Sequence, residues 1–259
     1  MSAPRDYQIE GIVIRHAAIG ERDKLVTLLT PDRGKVSAVA KSARRPGSSL
    51  GPCLETLSHG RYHCVTRRST DLIVQAEALD SFPSLMSDLW RTSCGLYIAE
   101  LIDATTVEGT PGRAVFGLML SVLKEIDRAG CDDTVLRYFE LRLLEGLGFC
   151  PSLKRCVQCG STLQPVENAL SSSLGGVVCS ECINECLDAR LLSVDALKVL
   201  RFWLGCDLAT ARRVKATEAL AIELDEQLHR FVTHVLQREV KSRSWLARLR
   251  TEMLLTSNP

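Results

Sequence analysis

The chain has 259 residues, of which 46% are hydrophobic and 24% are charged, and its formal net charge is +1. A chain of this length can bury a sizeable core and hold about one to three domains, and this composition is that of an ordinary globular protein. Charged residues interrupt the N-terminus before any apolar segment, and no apolar run reaches about 18 residues. We therefore expect neither a secretory signal nor a transmembrane helix.

Five short segments near the N-terminus have the residue types of β-strands. Strands are predicted over residues 7–16, 25–30, 35–40, 60–66 and 71–79. The first partly alternates apolar and polar residues, and the second and third are rich in branched residues. The sequence Pro31-Asp32-Arg33-Gly34 predicts a turn that joins the second and third strands as a hairpin. Five such strands fit a barrel of the OB type, and an SH3-like barrel or a meander fits the strand count nearly as well.

From Pro83 onward the apolar residues recur with helical spacing. Helices are predicted over residues 84–104, 113–128, 132–147, 193–205 and about 217–240. Residues 152–190 lose this periodicity and contain five cysteines. The sequence therefore predicts an α+β multidomain protein, with an N-terminal five-stranded OB-type β-barrel followed by an α-helical domain that carries a four-cysteine zinc module. The expected domains are 1–80 for the barrel, 81–150 with 191–259 for the helical domain, and 151–190 for the inserted module.

The eleven cysteines point to a metal site and not to a disulfide scaffold. Their number is odd, and several lie singly in apolar segments, as small buried side chains do. We therefore expect a cytoplasmic protein, in which paired C-x2-C motifs more often bind metal. Two such pairs occur, separated by 19 residues, which is the spacing of a four-thiolate zinc site. The predicted ligands are Cys156, Cys159, Cys179 and Cys182.

The predicted zinc site would be structural, because four thiolates fill the coordination sphere and leave no position for substrate. A loop-rich segment of this size buries too little apolar area to fold without such support. Cys150 lies six residues before the first pair and Cys186 lies four residues after the second. Either could replace a predicted ligand, but we expect both to be bystanders.

Basic residues are concentrated in one part of the predicted barrel. Residues 33–68 contain eight basic residues and one acidic residue, Glu55, a balance of +7 in a chain whose total is +1. A strand surface with this excess suits a polyanion, and nucleic acid is the commonest one. The segment before Pro83 has only three aromatic residues, so binding would depend on phosphate contacts and would vary steeply with salt. The predicted DNA-binding residues are Lys35, Lys41, Arg44, Arg45, Arg67 and Arg68.

Motifs of catalysis are missing from the sequence. It contains no phosphate-binding glycine loop, no dinucleotide fingerprint and no H-E-x-x-H pair. His63 and Cys64 alternate along a predicted strand, so they would lie on opposite faces and could not form a nucleophile pair. We therefore expect that the chain is not an enzyme.

Several motifs, taken together and in order, resemble one known family. The sequence G-I-V-I-R begins at Gly11, L-L-T-P-D-R-G at Leu28, A-K-S-A-R-R at Ala40 and R-Y-F-E-L-R-L-L-E-G-L-G-F at Arg137, and the first cysteine pair follows. This combination resembles the RecO family of bacterial recombination mediators and DNA repair proteins.

The resemblance implies an OB domain, a helical domain and, in members that keep the cysteines, a zinc module. It also implies binding to single- and double-stranded DNA, annealing of complementary strands, and action with RecR and single-stranded-DNA-binding protein to load RecA. It further implies that the helical region, at Arg137, receives the acidic, hydrophobic tail of the single-strand-binding protein, and that the protein acts at the nucleoid. The alternative is a zinc-stabilised adaptor whose basic face binds acidic tails of partner proteins.

Overall fold

The computed structural model describes residues 6–256. The chain forms two compact units. The first contains the residues up to Gly130 together with the segment that begins at Val240, and the second is Cys131–Glu239. This division does not test the domain boundaries predicted from the sequence, which stay a prediction. Within the described residues, no helix is both long enough and apolar enough to cross a membrane.

The first unit begins with a closed five-stranded barrel. Its strands are β1 (Asp6–Ile19), β2 (Asp23–Thr30), β3 (Gly34–Ala40), β4 (His59–Val65) and β5 (Asp71–Asp80). They are hydrogen-bonded in the order β1-β2-β3-β5-β4, and β4 closes the barrel by pairing with β1. All pairs are antiparallel except β3 with β5. The OB-type barrel predicted from the strand pattern is therefore confirmed.

The barrel interior is filled from every strand because each strand alternates its side chains between two faces. On β2, Val26 and Leu28 are fully buried in the barrel core. On β4, Tyr62 and Cys64 are fully buried in the same core. The hydroxyl of Tyr62 donates a hydrogen bond to the carbonyl of Cys53 at 3.0 Å, so the buried phenol is paired. Gly34 begins β3 with φ +60°, and a Cβ there would overlap the carbonyl of Thr110. The β2–β3 turn thus requires glycine.

Among residues 6–256, four α-helices complete the first unit. They are α1 (Pro83–Ser87), α2 (Leu89–Thr105), α3 (Arg113–Ala129) and α8 (Lys241–Thr256). The sequence predicted one helix over 84–104, but Asp88 interrupts it with extended backbone angles. Its side chain accepts a hydrogen bond from the backbone N–H of Arg91 at 2.8 Å and so caps α2. Two helices therefore replace the predicted one.

The second unit combines helices with a small sheet. Its elements are α4 (Asp133–Gly146), β6 (Asn168–Ser171), β7 (Gly176–Val178), β8 (Arg190–Leu192), α5 (Val194–Leu204), α6 (Leu208–Ala211) and α7 (Glu218–Leu236). The three strands pair antiparallel in the order β7-β6-β8. Helix α4 packs against α7 and α5. Periodicity did not predict the three-stranded sheet, because each of its strands has only three or four residues.

Candidate nucleic-acid interface and metal centre

Three of the predicted DNA-binding residues lie together where the chain leaves β3: Lys41, Arg44 and Arg45. We call these residues the β3-exit cluster. All three are exposed, and 70% of the Lys41 side chain is accessible. The loop is fixed by Asp23, which accepts a hydrogen bond from the N–H of Ser42 at 2.8 Å and lies 3.8 Å from the Lys41 amine. The cluster therefore presents three cationic groups from a hydrogen-bonded loop.

A second group of basic residues consists of Arg33, which contacts Tyr7, and of Arg67 and Arg68 between β4 and β5. We call these three the Tyr7 cluster; all three are exposed. The guanidinium of Arg33 lies 4.0 Å from the centre of the Tyr7 ring, and the Tyr7 hydroxyl donates to Asp71 at 2.5 Å. The other oxygen of Asp71 accepts from the N–H of Arg67 at 3.0 Å. Burial, with the hydrogen bond to Asp71, raises the pKa of Tyr7, so the ring stays neutral beneath Arg33.

The two clusters lie at opposite ends of β3. Arg33 precedes the first residue of the strand, Gly34, and Lys41 follows its last residue, Ala40. A seven-residue strand is about 20 Å long at a rise of about 3.3 Å per residue. Sequence reasoning counted Arg33 in the basic run but did not select it, because only the fold places it beside Arg67.

Lys35 lies between the two clusters in sequence but has a different environment. Its amine donates to the Asp103 carboxylate at 3.0 Å and to the Asp103 carbonyl at 2.8 Å, and only 15% of its side chain is exposed. The lysine therefore joins β3 to α2 within the first unit. Its predicted contact with DNA stays a prediction.

The four predicted metal ligands converge in the second unit. The sulfurs of Cys156, Cys159, Cys179 and Cys182 all lie within 4.8 Å of one another. Those of Cys159 and Cys179 are 3.8 Å apart. Four sulfurs at about 2.3 Å from a tetrahedral zinc ion lie about 3.8 Å from each other, so the cluster has the size that such an ion requires. Neither Cys150 nor Cys186 belongs to this group.

Backbone geometry prepares the Cys156 thiol for a cation. Gly160 follows the first pair with φ +77°, and its N–H donates to the Cys156 carbonyl at 2.9 Å, which closes the first turn. The N–H of Cys179 donates to the Cys156 sulfur at 3.3 Å. Burial raises the pKa of Cys156, but backbone N–H groups of Cys159, Cys179 and Gln158 outweigh it and lower the pKa to about 6. This favours the thiolate, which is the form that binds metal.

Arg137, predicted to receive a partner's tail, is buried in α4. Only 5% of its side chain is exposed, and its guanidinium donates to Glu140 at 2.6 Å. It also forms an ion pair with Asp225 of α7. Two carboxylates thus already surround its charge, and the arginine connects two helices of the second unit. Its role toward a partner stays a prediction.

The fold and the two sites define a class of protein: an OB-type barrel joined to helices, with a separate cluster of four cysteines. Comparison with known proteins is more specific. The model of the "Recombination protein O N terminal" family matches residues 1–82, and that of "Recombination protein O C terminal" matches 86–244. The chain therefore belongs to the RecO family.

Individual relatives agree over nearly the whole chain. The DNA repair protein RecO of Symbiobacterium thermophilum is 38% identical over 250 residues, which cover 95% of this chain and 98% of the relative. The protein of the same name from Roseiflexus is 33% identical over 98% of this chain and 89% of the relative. The DNA repair protein RecO of Dehalococcoides mccartyi is 32% identical over 96% of this chain and 98% of the relative.

Proposed function

We propose that this protein is a DNA-binding recombination mediator that binds single- and double-stranded DNA and anneals complementary strands. The observation that carries the proposal is the pair of exposed cationic clusters at the two ends of β3, on the barrel of a RecO-family chain. Six cationic side chains over about 20 Å match about six phosphates of one B-form strand, at about 3.4 Å each. A single DNA strand along β3 would contact both clusters.

Binding of this kind leaves the bases free. Contacts to phosphate carry no sequence information, so the barrel would hold any strand with its base edges accessible to a complementary strand. A backbone-bound strand with accessible bases is what annealing requires. Neutralising six phosphates of single-stranded DNA gives a log-log salt slope of about −4, which is about a 300-fold loss of affinity between 50 and 200 mM salt.

The proposed partners follow from the family. With RecR and single-stranded-DNA-binding protein, the chain would help to load RecA at single-stranded gaps, and it would act in the cytoplasm at the nucleoid. Support for these partners comes from the RecO family match alone. Because Arg137 is already paired with Glu140 and Asp225, a tail that uses this arginine would have to displace one of the two carboxylates.

We further propose that the four cysteines bind one structural Zn2+. The sulfur separations and the thiolate-stabilising N–H groups support zinc, and Cys156, Cys159, Cys179 and Cys182 would hold it. The ion would supply the connection between two turns that are 19 residues apart in sequence. No catalytic role is proposed for it, because four protein ligands leave no open position.

The chain is proposed not to be an enzyme. Cys64, the one cysteine adjacent to a histidine, lies in the barrel core, and burial raises its pKa to about 11. His59 is buried as well, and its two ring nitrogens lie 2.9 Å from carboxylate oxygens of Glu10 and Asp80. These contacts are those of residues that stabilise the barrel.

The test is annealing of two complementary labelled oligonucleotides. The unaltered chain is compared with a Lys41→Ala, Arg44→Ala, Arg45→Ala variant whose fold is checked by circular dichroism. The matched control is Lys198→Ala, Arg213→Ala, Lys215→Ala, which removes the same three charges from exposed positions of the second unit.

We expect the unaltered chain and the control variant to accelerate annealing. The variant of the β3-exit cluster should not accelerate it. Equal loss in both variants would mean that net charge alone matters. If the unaltered chain neither binds nor anneals DNA at low salt, the mediator proposal is wrong. The basic face would then belong to a protein partner, and the zinc-stabilised adaptor would be the better account.

A further inference from the structure

The last helix, α8, has one exposed face with both cationic and aromatic side chains. Lys241, Trp245 and Arg248 are spaced at i, i+4 and i+7, which places them on one side of the helix. All three are exposed, whereas Leu246 and Leu249 on an adjacent side of the helix are buried. We call the three exposed residues the α8 face. Helix α8 packs against α2 in the same unit.

The indole of Trp245 is held in place while much of its ring stays accessible. Its N–H donates to the hydroxyl of Ser93 at 3.2 Å, and Ser93 is buried in α2. Trp245 is nevertheless 47% exposed. The guanidinium of Arg248 lies 5.8 Å from the centre of the ring, so a cation stands beside the exposed indole.

A second pair of the same type connects the same two helices, α8 and α2. The guanidinium of Arg250 lies 5.2 Å from the centre of the Trp90 ring of α2, and Trp90 is half-buried. Five residues of α8 separate Trp245 from Arg250, about 7.5 Å along the helix axis. Trp245 and Arg250 are therefore about two base steps of 3.4 Å apart along the helix axis.

The charge of α8 favours a polyanion. The helix contains four basic residues and one acidic residue, Glu252, a balance of +3. Its start is fixed by Glu100 of α2, whose carboxylate accepts from the backbone N–H groups of Lys241 at 3.0 Å and Ser242 at 2.8 Å. A helix that combines cations with an exposed indole matches the side chains on which unpaired bases stack.

We infer that the α8 face is a stacking site for single-stranded DNA, in which an unpaired base lies against Trp245 while Lys241 and Arg248 contact the flanking phosphates. The inference rests on the proposed function, since it requires a chain that binds DNA. It adds a contact that the phosphate-binding clusters of the barrel do not supply. Such a site selects single strands over duplex, because paired bases have no free face.

The test compares Trp245→Leu with Trp245→Phe on the full chain. With labelled oligothymidylate, Trp245→Leu should weaken binding about 5- to 150-fold, and Trp245→Phe, which keeps an aromatic face, should weaken it far less. Binding of duplex DNA should be unchanged in both. The log-log salt slope should stay the same in Trp245→Leu and become shallower in Arg248→Ala, because only the arginine neutralises a phosphate.

Fluorescence of the unaltered chain gives a measurement that needs no variant. Oligothymidylate should quench the exposed tryptophan emission and duplex should not, while the fully buried Trp203 supplies a constant background. Unchanged affinity in Trp245→Leu, equal loss for single strands and duplex, or no quenching would each overturn the inference while the annealing result stands. If a glutamate-rich peptide quenches the emission at lower concentration than oligothymidylate, the face belongs to a protein partner. If the unaltered chain binds no DNA, the proposed function fails as well.

Discussion

Replacing Gly95 with alanine is expected to destabilise the first unit, because the new methyl group has no room. Gly95 lies inside α2, and a Cβ there would be 2.5 Å from Cδ1 of Leu57. Carbon atoms in good contact are about 3.5–4.0 Å apart, so the two groups would overlap by about 1 Å. The backbone of Leu57 is held by its N–H, which donates to the Val13 carbonyl at 2.8 Å, and its fully buried side chain has little space to move into.

The size of the destabilisation can be isolated by comparison with a second helical glycine that has free space around it. Overpacking of this kind costs about 1–3 kcal/mol, whereas alanine in place of a helical glycine stabilises the helix by about 1 kcal/mol. Gly117 is exposed in α3, and a Cβ there would meet nothing within 4 Å. The helix gain is common to both positions, so Gly95→Ala should be about 1–3 kcal/mol less stable than Gly117→Ala.

Urea unfolding measures this difference. With a slope of about 2 kcal/mol per molar urea, a difference of about 2 kcal/mol separates the two midpoints by about 1 M. In a Leu57→Ala background the same Gly95→Ala change should cost less, since the side chain that it meets has been shortened. Equal midpoints for Gly95→Ala and Gly117→Ala would refute the packing of α2 on Leu57.

Three further outcomes are expected. Cys179→Ser should lower the zinc content, measured by mass spectrometry, from one ion per chain to nearly none, whereas Cys186→Ser should keep it, because only the former belongs to the sulfur cluster. Tyr62→Phe should reduce the free energy of unfolding by about 1 kcal/mol by removing the hydrogen bond to the partly buried Cys53 carbonyl, and retention of full stability would contradict the hydrogen bond. Asp188→Asn should lower the free energy of unfolding at pH 7 and make that free energy vary less with pH in the acid range. Unfolding at several pH values measures both effects.

The sign of the Asp188 effect follows from its contacts. Burial raises the pKa of this carboxyl, but hydrogen bonds from the side chains of Ser171 and Ser173 and from the Ser173 N–H outweigh it and hold the pKa below its ordinary value. A group whose pKa is lower in the folded state stabilises the fold above its unfolded pKa of about 3.9. That stability is lost as the pH falls through the lowered pKa. A variant with the same acid dependence as the unaltered chain would show that Asp188 does not contribute in this way.

The sequence was sufficient for features that depend on neighbouring residues. Strand and helix positions follow from the spacing of apolar side chains, and all five barrel strands lie within a few residues of their predicted places. The one helix that the structure divides is interrupted at Asp88, where a local hydrogen bond to the backbone competes with helix continuation. The two cysteine pairs were equally clear, since each pair is set by a single tight turn.

Contacts between distant residues were decided by the tertiary structure. Lys35 and Lys41 are alike in the sequence, yet Lys35 is paired with Asp103, 68 residues away, while Lys41 is exposed. Arg137 resembles a surface arginine of a helix until α7 brings Asp225 beside it. Trp245 could not be linked to Ser93, 152 residues earlier, before α8 was placed on α2. Local patterns determine what a segment becomes, but the partner of a charged or aromatic side chain depends on which segments the closed barrel and the packed helices bring together.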